Sequence, residues 1–174
     1  MTARDTLDAL QSFLKEKVAD QILLQREPEQ GEESVPKKQD SYVHPTVPII
    51  RLPHQNFNPA GYQVPFLAVC FDSDDDGDDE HTMDVRLVAG VYGGGNYEGD
   101  IDPDGIPDNK GYLDLINLME RAKLELLSAG IIGGACRVYK PVSMKIYDTE
   151  EDTWPYWYGN VTFAASLPIT PEMI

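Results

Sequence analysis

The sequence predicts an α+β fold: a mostly antiparallel sheet of two hairpins packed on a central helix, with an amphipathic helix at the N-terminus. One observation is a long, apolar-rich segment with helical periodicity, residues 111–127. A second is that strand-like segments lie in pairs before and after this helix. A third is that strands and helices do not alternate regularly, which argues against a parallel doubly wound sheet. The length of 174 residues suits a single domain, 1–174.

The first element is predicted to be a helix over about residues 5–24. Its leucines recur at helical spacing, and Thr2 or Asp5 can accept hydrogen bonds from the first backbone N–H groups. The next segment, 26–41, holds two prolines, a glycine and many charged residues but almost no apolar side chain. Because it has too little apolar surface to pack on a core, we expect a mobile polar loop.

Three strand-like segments precede the central helix. The first, 47–52, is short and bounded by prolines, which predicts a position at a sheet edge. The other two, 64–71 and 84–92, are expected to form a hairpin with the acidic segment 72–84 as its tip. In the second of them, alternate residues should lie on opposite faces of the sheet.

The central helix has two apolar stripes when its residues are placed about 100° apart on a helical wheel. The first stripe consists of Tyr112, Leu115, Ile116, Met119, Ala122 and Leu126. The second consists of Leu113, Leu124 and Leu127, with Ile116 at its border. Because little polar surface remains, one stripe should face the sheet and the other a second helix or a neighbouring subunit. The alternative is a helix that is fully buried within a monomer.

A subunit interface is expected where apolar side chains exceed what one sheet face can cover. The candidates are Phe57 and Tyr62 in the loop 53–63, together with Leu113, Leu124 and Leu127. For the two aromatic residues, packing within their own chain is the more frequent explanation. The first stripe should instead pack on the sheet, with Leu115, Met119, Ala122 and Leu126 against Leu87, Val161 and Phe163.

The strands after the central helix form the second predicted hairpin. Two short segments, 136–139 and 142–147, should be separate because Pro141 interrupts them. The last segment, Tyr156–Leu167, alternates between two sets of side chains, as a half-buried strand does.

The net charge of −16 argues against a protein that wraps nucleic acid or lies on an anionic membrane, since either function needs a basic face. No apolar run approaches the roughly 20 residues that cross a bilayer, and the N-terminus has no apolar signal-peptide core. Neither a transmembrane helix nor a signal peptide is therefore expected. Cys70 and Cys136 lie in or beside apolar strands without C-x-x-C spacing. Two buried thiols are therefore favoured over a disulfide or a pair of metal ligands.

Two segments have the pattern D-x-D-x-D-G, which brings oxygen ligands together in calcium loops. Their carboxylates are Asp72, Asp74 and Asp76 in the first and Asp100, Asp102 and Asp104 in the second. Both lack the bidentate glutamate of a complete loop, because Met83 and Gly111 stand at that position. We therefore favour solvated acidic turns and expect no cofactor, with Ca²⁺ as the alternative ligand.

The sequence shows no catalytic constellation. His44, His54 and His81 are scattered without metal-ligand spacing, and no nucleophile has an evident base. The glycines after residue 92 are not followed by the G-K-[ST] of a phosphate loop. We expect a protein that is not an enzyme.

Three segments of the second half together resemble a known family. They read V-R-L-V-A-G-V-Y, then G-Y-L-D-L-I-N-L-M-E-R-A-K-L-E-L-L, then M-K-I-Y-D-T-E-E-D-T-W-P-Y-W-Y-G-N-V-T-F-A-A-S-L-P. This series is similar to the tail terminator and minor tail proteins of tailed bacteriophages and prophages, the group of the lambda minor tail protein U. The resemblance covers roughly residues 65–168. The polar insertion 26–41 and the acidic hairpin 72–84 depart from it.

The resemblance implies a virion structural protein without enzymatic activity, assembled in the cytoplasm of a bacterial host. Members of this group form a hexameric ring on the end of the tail tube. The ring stops polymerisation of the tube protein and presents a surface to the head–tail connector. The implied partners are therefore other copies of the chain, the tail tube protein and the connector protein, with no specific nucleic acid and no membrane. The alternative is a calcium-binding adhesion or interaction module that uses the two acidic loops.

Overall fold

The computed structural model describes residues 2–27, 42–51, 63–77, 80–93, 110–134, 136–147 and 155–167. Its helices are α1 (Ala3–Lys17) and α2 (Lys110–Ser128), and a short 3-10 helix (Ala19–Gln21) follows α1. Its strands are β1 (Leu24–Gln25), β2 (Tyr42–Val43), β3 (Phe66–Asp76), β4 (His81–Tyr92), β5 (Ile131–Ile132), β6 (Cys136–Ile146) and β7 (Tyr156–Leu167).

The main sheet is antiparallel and, within the described residues, has five strands in the order β3-β4-β7-β6-β5. At its centre β4 and β7 pair along their full length, with His81 opposite Leu167 and Tyr92 opposite Tyr156. Helix α1 contacts both edge strands, β3 and β5, because the sheet curls around the helices. The α+β class, the antiparallel sheet and the N-terminal helix are confirmed. The finer prediction of two hairpins on a central helix is not confirmed, since the strands form one continuous curled sheet.

Helix α1 begins and ends through local hydrogen bonds. Asp5 N donates to Thr2 Oγ1 at 3.2 Å, and Thr2 N donates to Asp5 Oδ2 at 2.7 Å, which forms a capping box. The backbone hydrogen bond from Thr2 is the main cause that lowers the pKa of Asp5. The predicted end near Leu24 is wrong, because α1 stops at Lys17 and Leu24 pairs with Val43 in a small two-stranded sheet.

His44 contributes to the turn that follows α1. Its Nδ1 lies 3.1 Å from the carbonyl oxygen of Ala19 and 2.8 Å from that of Ile22. Both neighbours are acceptors, so Nδ1 carries the proton and donates to the carbonyl groups beyond the helix end. This histidine therefore has a structural role.

Several predicted strand boundaries differ from the structure, and β4, for example, begins at His81 instead of residue 84. Residues 47–52 were expected to form a strand, but the described part of that segment has only an isolated parallel bridge, Ile49 to Val69, and a second bridge joins Thr46 to Phe66. Strand β3 continues to Asp76 instead of ending at residue 71, because ladder hydrogen bonds join backbone groups and tolerate acidic side chains at an exposed edge. Strand β6 runs through Pro141 with a register shift between Tyr139 and Ser143, so the two segments are one strand.

The main core lies between the inner face of the sheet and the two helices. Leu115, Met119, Ala122 and Leu126 belong to the same buried cluster as Leu87, Val161 and Phe163, as predicted. Leu118 is also fully buried, although it belongs to neither predicted stripe. The described helices include none that is long and apolar enough to span a membrane.

Candidate functional site

Helix α2 presents part of its apolar surface to solvent. Leu113, Leu124 and Leu127 are exposed by 55%, 56% and 38%, whereas the first stripe is largely buried. Their positions differ by 11 and 14 residues, about three and four helical turns, so all three lie on one face of α2. We call these three residues the leucine face. Such a face is where an interaction with another protein is expected.

Two residues of the first stripe are less buried than predicted. Tyr112 is 39% exposed and contacts Trp157 edge to face, with ring centroids 6.1 Å apart. Ile116 is only partly buried. The buried face is therefore displaced around the helix relative to the predicted stripe, away from Tyr112 and Ile116 and toward Leu118.

A groove of about 360 Å³ runs beside the leucine face. It is lined by Ile22, Asn117, Glu120, Arg121, Leu124 and Glu125. Arg121 Nε donates to the carbonyl oxygen of Lys17 at 3.4 Å, and its Nη2 lies 3.9 Å from Glu125 Oε1. The contact with Lys17 ties α2 to the end of α1 at one side of the groove, whereas the pair with Glu125 lies within α2. The other candidate interface residues, Phe57 and Tyr62, lie outside the described residues.

A second groove, of about 470 Å³, lies between the C-terminal end of α2 and strand β6. It is lined by Leu126, Leu127, Gly130, Arg137, Val138, Tyr139 and Lys140. Its lining combines apolar residues with two cationic ones. Leu127 is common to this groove and the leucine face.

The first acidic segment does not have the geometry of a calcium loop. Asp72 Oδ2 lies 3.3 Å from Arg86 Nε, and Asp74 Oδ2 lies 3.1 Å from His81 Nε2. Because β3 has a register shift between residues 71 and 73, Asp72 is on the outer face with Arg86, while Asp74 is level with the buried Met83. The carboxylates therefore do not converge. The described residues contain no group of three or more metal-ligating side chains, and Asp100, Asp102 and Asp104 lie outside them.

We expect no tight calcium binding at either acidic segment. Titration calorimetry at low ionic strength should give no sub-micromolar affinity for Ca²⁺, since each pattern lacks the bidentate ligand at position twelve. A sub-micromolar site that is lost in Asp102→Asn but kept in Asp74→Asn would revive the second loop as a calcium site and with it the adhesion function.

Sequence reasoning missed a polar cluster on the outer face of the sheet. The Arg86 side chain is only 3% exposed, and its guanidinium donates to Asp72 and, at 3.5 Å, to the Tyr147 hydroxyl. Burial lowers the pKa of Arg86, but these hydrogen bonds outweigh it and raise the pKa overall. The sequence feature that could have indicated this cluster is an arginine at an outward-facing position of an otherwise apolar strand. Its charge is compensated within the fold, so it is structural.

A second polar contact on this face involves Glu27. Tyr156 donates its hydroxyl to Glu27 Oε1 at 2.7 Å, and the Val64 N–H donates to Oε2 at 3.3 Å. Burial and then the Glu27 carboxylate raise the pKa of Tyr156. This tyrosine stays protonated at neutral pH, so it holds the chain at Glu27 on the sheet and does not serve as a base.

Both cysteines are buried and neither forms a disulfide, as the sequence predicts. Burial raises the pKa of Cys136 to about 11, so its thiol is almost fully protonated at neutral pH. A protonated, buried thiol is a poor nucleophile, and we assign Cys136 a packing role.

No protein-family model matches the chain, and no curated protein matches it. The features of this chain that bear on function are therefore its three family-like segments and the surfaces of the fold.

Proposed function

We propose that the protein is a structural component of a tailed phage or prophage virion. Its role is that of a tail terminator, or a closely related head–tail completion protein, which forms a ring at the end of the tail tube. The resemblance that suggests this role is carried by segments that are neighbours in the fold. They include β4, α2 and β7, and α2 packs on both strands. The proposed site of action is the virion.

The leucine face is the observation that carries the proposal. A helix that is buried on one side by the sheet and keeps Leu113, Leu124 and Leu127 exposed has apolar surface available for another subunit. We propose that this face forms lateral contacts in a hexamer, with Phe57 and Tyr62 as further contact residues. In this arrangement the two hairpins, β3–β4 and β6–β7, form the two sides of each subunit.

The remaining partners follow from the ring. One side of it binds the tail tube protein and stops tube growth, and the opposite side binds the head–tail connector. The negative charge of the chain suits a structure that DNA passes through, because an acidic surface does not retain a polyanion. We propose no enzymatic activity. A calcium-binding adhesion module is less well supported, since Asp72 and Asp74 are engaged by Arg86 and His81.

Tail tubes grown from the tube protein of the same phage genome test the function directly. With the protein present, electron microscopy should show shorter tubes that carry a ring at one end. The double substitution Leu124→Lys and Leu127→Lys should abolish the ring, because two charges cannot be buried in an apolar contact without partners.

A matched control is Glu16→Lys on the exposed side of α1, which changes the net charge by the same two units. This variant should cap tubes as the native chain does. If the length distribution of the tubes is unchanged and neither end carries protein, the terminator function is wrong.

A further inference from the structure

Strand β6 has no partner strand along most of one side. One side of β6 pairs with β7 from Arg137 to Ile146, apart from a register shift, whereas the other side pairs with β5 only at Cys136 and Arg137. Among the described residues no segment pairs with this second side after Arg137. We call residues 142–146 of β6 the open edge. An edge of this kind can take up a further strand through its backbone groups.

The backbone groups of the open edge point outward at alternate residues. The Tyr147 N–H donates to the Tyr158 carbonyl oxygen of β7 at 3.0 Å. In an antiparallel ladder both backbone groups of a residue point to the same neighbouring strand, and those of the next residue point the other way. Every second residue before Tyr147 therefore bonds to β7 in the same way, whereas the N–H and C=O groups of Met144 and Ile146 point away from β7.

The side chains of the open edge differ between the two faces of the sheet. Met144 and Ile146 pack against the main core and are partly exposed. Lys145 is exposed and lies on the outer face, because it is opposite Asn160, which is opposite Val88 in the separate apolar cluster of that face. A strand placed beside the open edge would therefore meet apolar side chains on one face and a cation on the other.

The charged side chains of β6 are all basic. They are Arg137, Lys140 and Lys145 within 11 residues, although acidic side chains outnumber basic ones 30 to 14 in the whole chain. Tyr139 lies beside Arg137 and donates its hydroxyl to Glu80, which places a carboxylate at that end of β6. Neither lysine forms an ion pair with a described residue. The open edge therefore offers its positive charge to an acidic partner.

The groove between α2 and β6 extends the apolar face of the open edge toward β5. Its lining includes Leu127 and Val138, and Val138 is opposite Ala165 of the main core, on the same face as Met144. Pro141 lacks an N–H group, so a backbone ladder is confined to the open edge. Beyond it, a bound segment would contact the groove through its side chains.

The lysine and proline of this edge select the kind of strand that can bind. Such residues protect sheet edges, because an apolar strand would bury the lysine charge without a partner. A strand that places a carboxylate beside Lys145 avoids this cost, since opposite charges on neighbouring strands attract each other. The edge therefore excludes neutral strands and admits an acidic one.

We propose that the open edge binds an extended segment of a partner protein in which apolar and acidic residues alternate. The segment runs antiparallel to β6, as β5 and β7 do, with its apolar side chains beside Met144 and Ile146 and its carboxylates beside Lys145. Backbone hydrogen bonds supply the affinity, and the alternating side chains supply the specificity. This contact is separate from the proposed ring and does not depend on it.

A capped peptide of alternating valine and glutamate is the probe. At about eight residues it spans ~26 Å as a strand. Fluorescence anisotropy of the labelled peptide, titrated with the protein up to about 1 mM, should show saturable binding. An alternating valine–lysine peptide should bind at least ~10-fold more weakly, because like charges then face each other. A peptide of the same composition with its valines and glutamates in separate halves should also bind at least ~10-fold more weakly, because it cannot present one residue type to each face.

Backbone N-methylation of the peptide tests the strand geometry without changing the protein. A residue opposite Met144 in an antiparallel pair exchanges hydrogen bonds with it and places its side chain on the same face. Methylation of the valine N–H groups should therefore abolish binding. Methylation of the glutamate N–H groups, which point to solvent, should retain most of it. Equal effects of the two methylations, or the reverse order, would overturn the proposal.

Lys145→Glu tests the position of the contact on the protein. This variant should bind the valine–glutamate peptide about 10-fold more weakly than the native chain and the valine–lysine peptide more tightly. The matched control is Lys17→Glu at an exposed position of α1, which changes the net charge equally and should bind both peptides as the native chain does. Both variants should keep the native circular dichroism spectrum, because both side chains are exposed.

Three results would contradict the proposal. The first is that the native chain does not bind the valine–glutamate peptide at any concentration. The second is that Lys145→Glu and Lys17→Glu bind the two peptides alike. The third is self-association of the native chain that the peptide displaces, since the open edge would then belong to a second copy and not to a partner protein.

Discussion

Leu115→Ala is expected to lower the free energy of unfolding by about 2–5 kcal/mol. Leu115 is fully buried in the cluster that joins α2 to the sheet, near Leu87 and Val161. Removing its branched end takes apolar atoms out of the core and leaves a cavity that the rigid sheet cannot readily fill. Urea unfolding at constant protein concentration measures the change through the shift in midpoint.

Leu113→Ala is the matched control, because it removes the same atoms two residues earlier on the same helix. Leu113 is 55% exposed, so we expect a change within about 0.5 kcal/mol for the monomer. Equal losses for the two variants would contradict the assignment of Leu115 to the core and Leu113 to the surface.

The sequence was most informative in long segments where the same hydrophobic periodicity continues over many residues. Helix α2 was predicted to within one residue at each end, because its buried apolar positions recur with the 3.6-residue period of a helix. The alternation of Tyr156–Leu167 located β7 in the same way, since one face of it packs in the core. In both elements tertiary burial reinforces the local preference.

Local patterns failed where a strand is stabilised by its neighbour. Residues 72–76 were predicted to form a loop because aspartate is unfavourable in strands. They nevertheless extend β3, because they pair with β4, which is itself held in place by pairing with β7. Pro141 was likewise predicted to separate two strands, although a register shift accommodates it within β6. Neither result could come from a segment considered alone, because each depends on a strand distant in sequence.

The candidate site was only partly predictable. The exposed leucines followed from the helical wheel, since three apolar residues fell outside the stripe that faces the sheet. The groove between α2 and β6 did not, because its lining comes from two elements whose packing appears only once the strand order is known. The positive charge of β6 was visible in the sequence, but its position between β7 and β5 was not.

The pair formed by Arg86 and Asp72 should be the most sensitive polar contact in the sheet. Removing one partner of a buried ion pair costs about 3–5 kcal/mol, because the remaining charge stays buried without compensation. Arg86 is 3% exposed and Asp72 is 23% exposed, so we expect Asp72→Ala to lower the free energy of unfolding by about 3 kcal/mol, at the lower end of that range. Urea unfolding at pH 7 provides the measurement.

Two further variants distinguish the effect of leaving the Arg86 charge buried from the effect of removing any carboxylate from the strand. Asp76→Ala removes an exposed aspartate from the end of the same strand and should change the free energy of unfolding by less than about 0.5 kcal/mol. Adding Arg86→Met to Asp72→Ala should recover most of the lost stability, because an apolar side chain of similar length no longer brings a charge into the sheet. A double variant that is less stable than Asp72→Ala alone would show that Arg86 stabilises the sheet through its other contacts, and the ion-pair explanation would then be wrong.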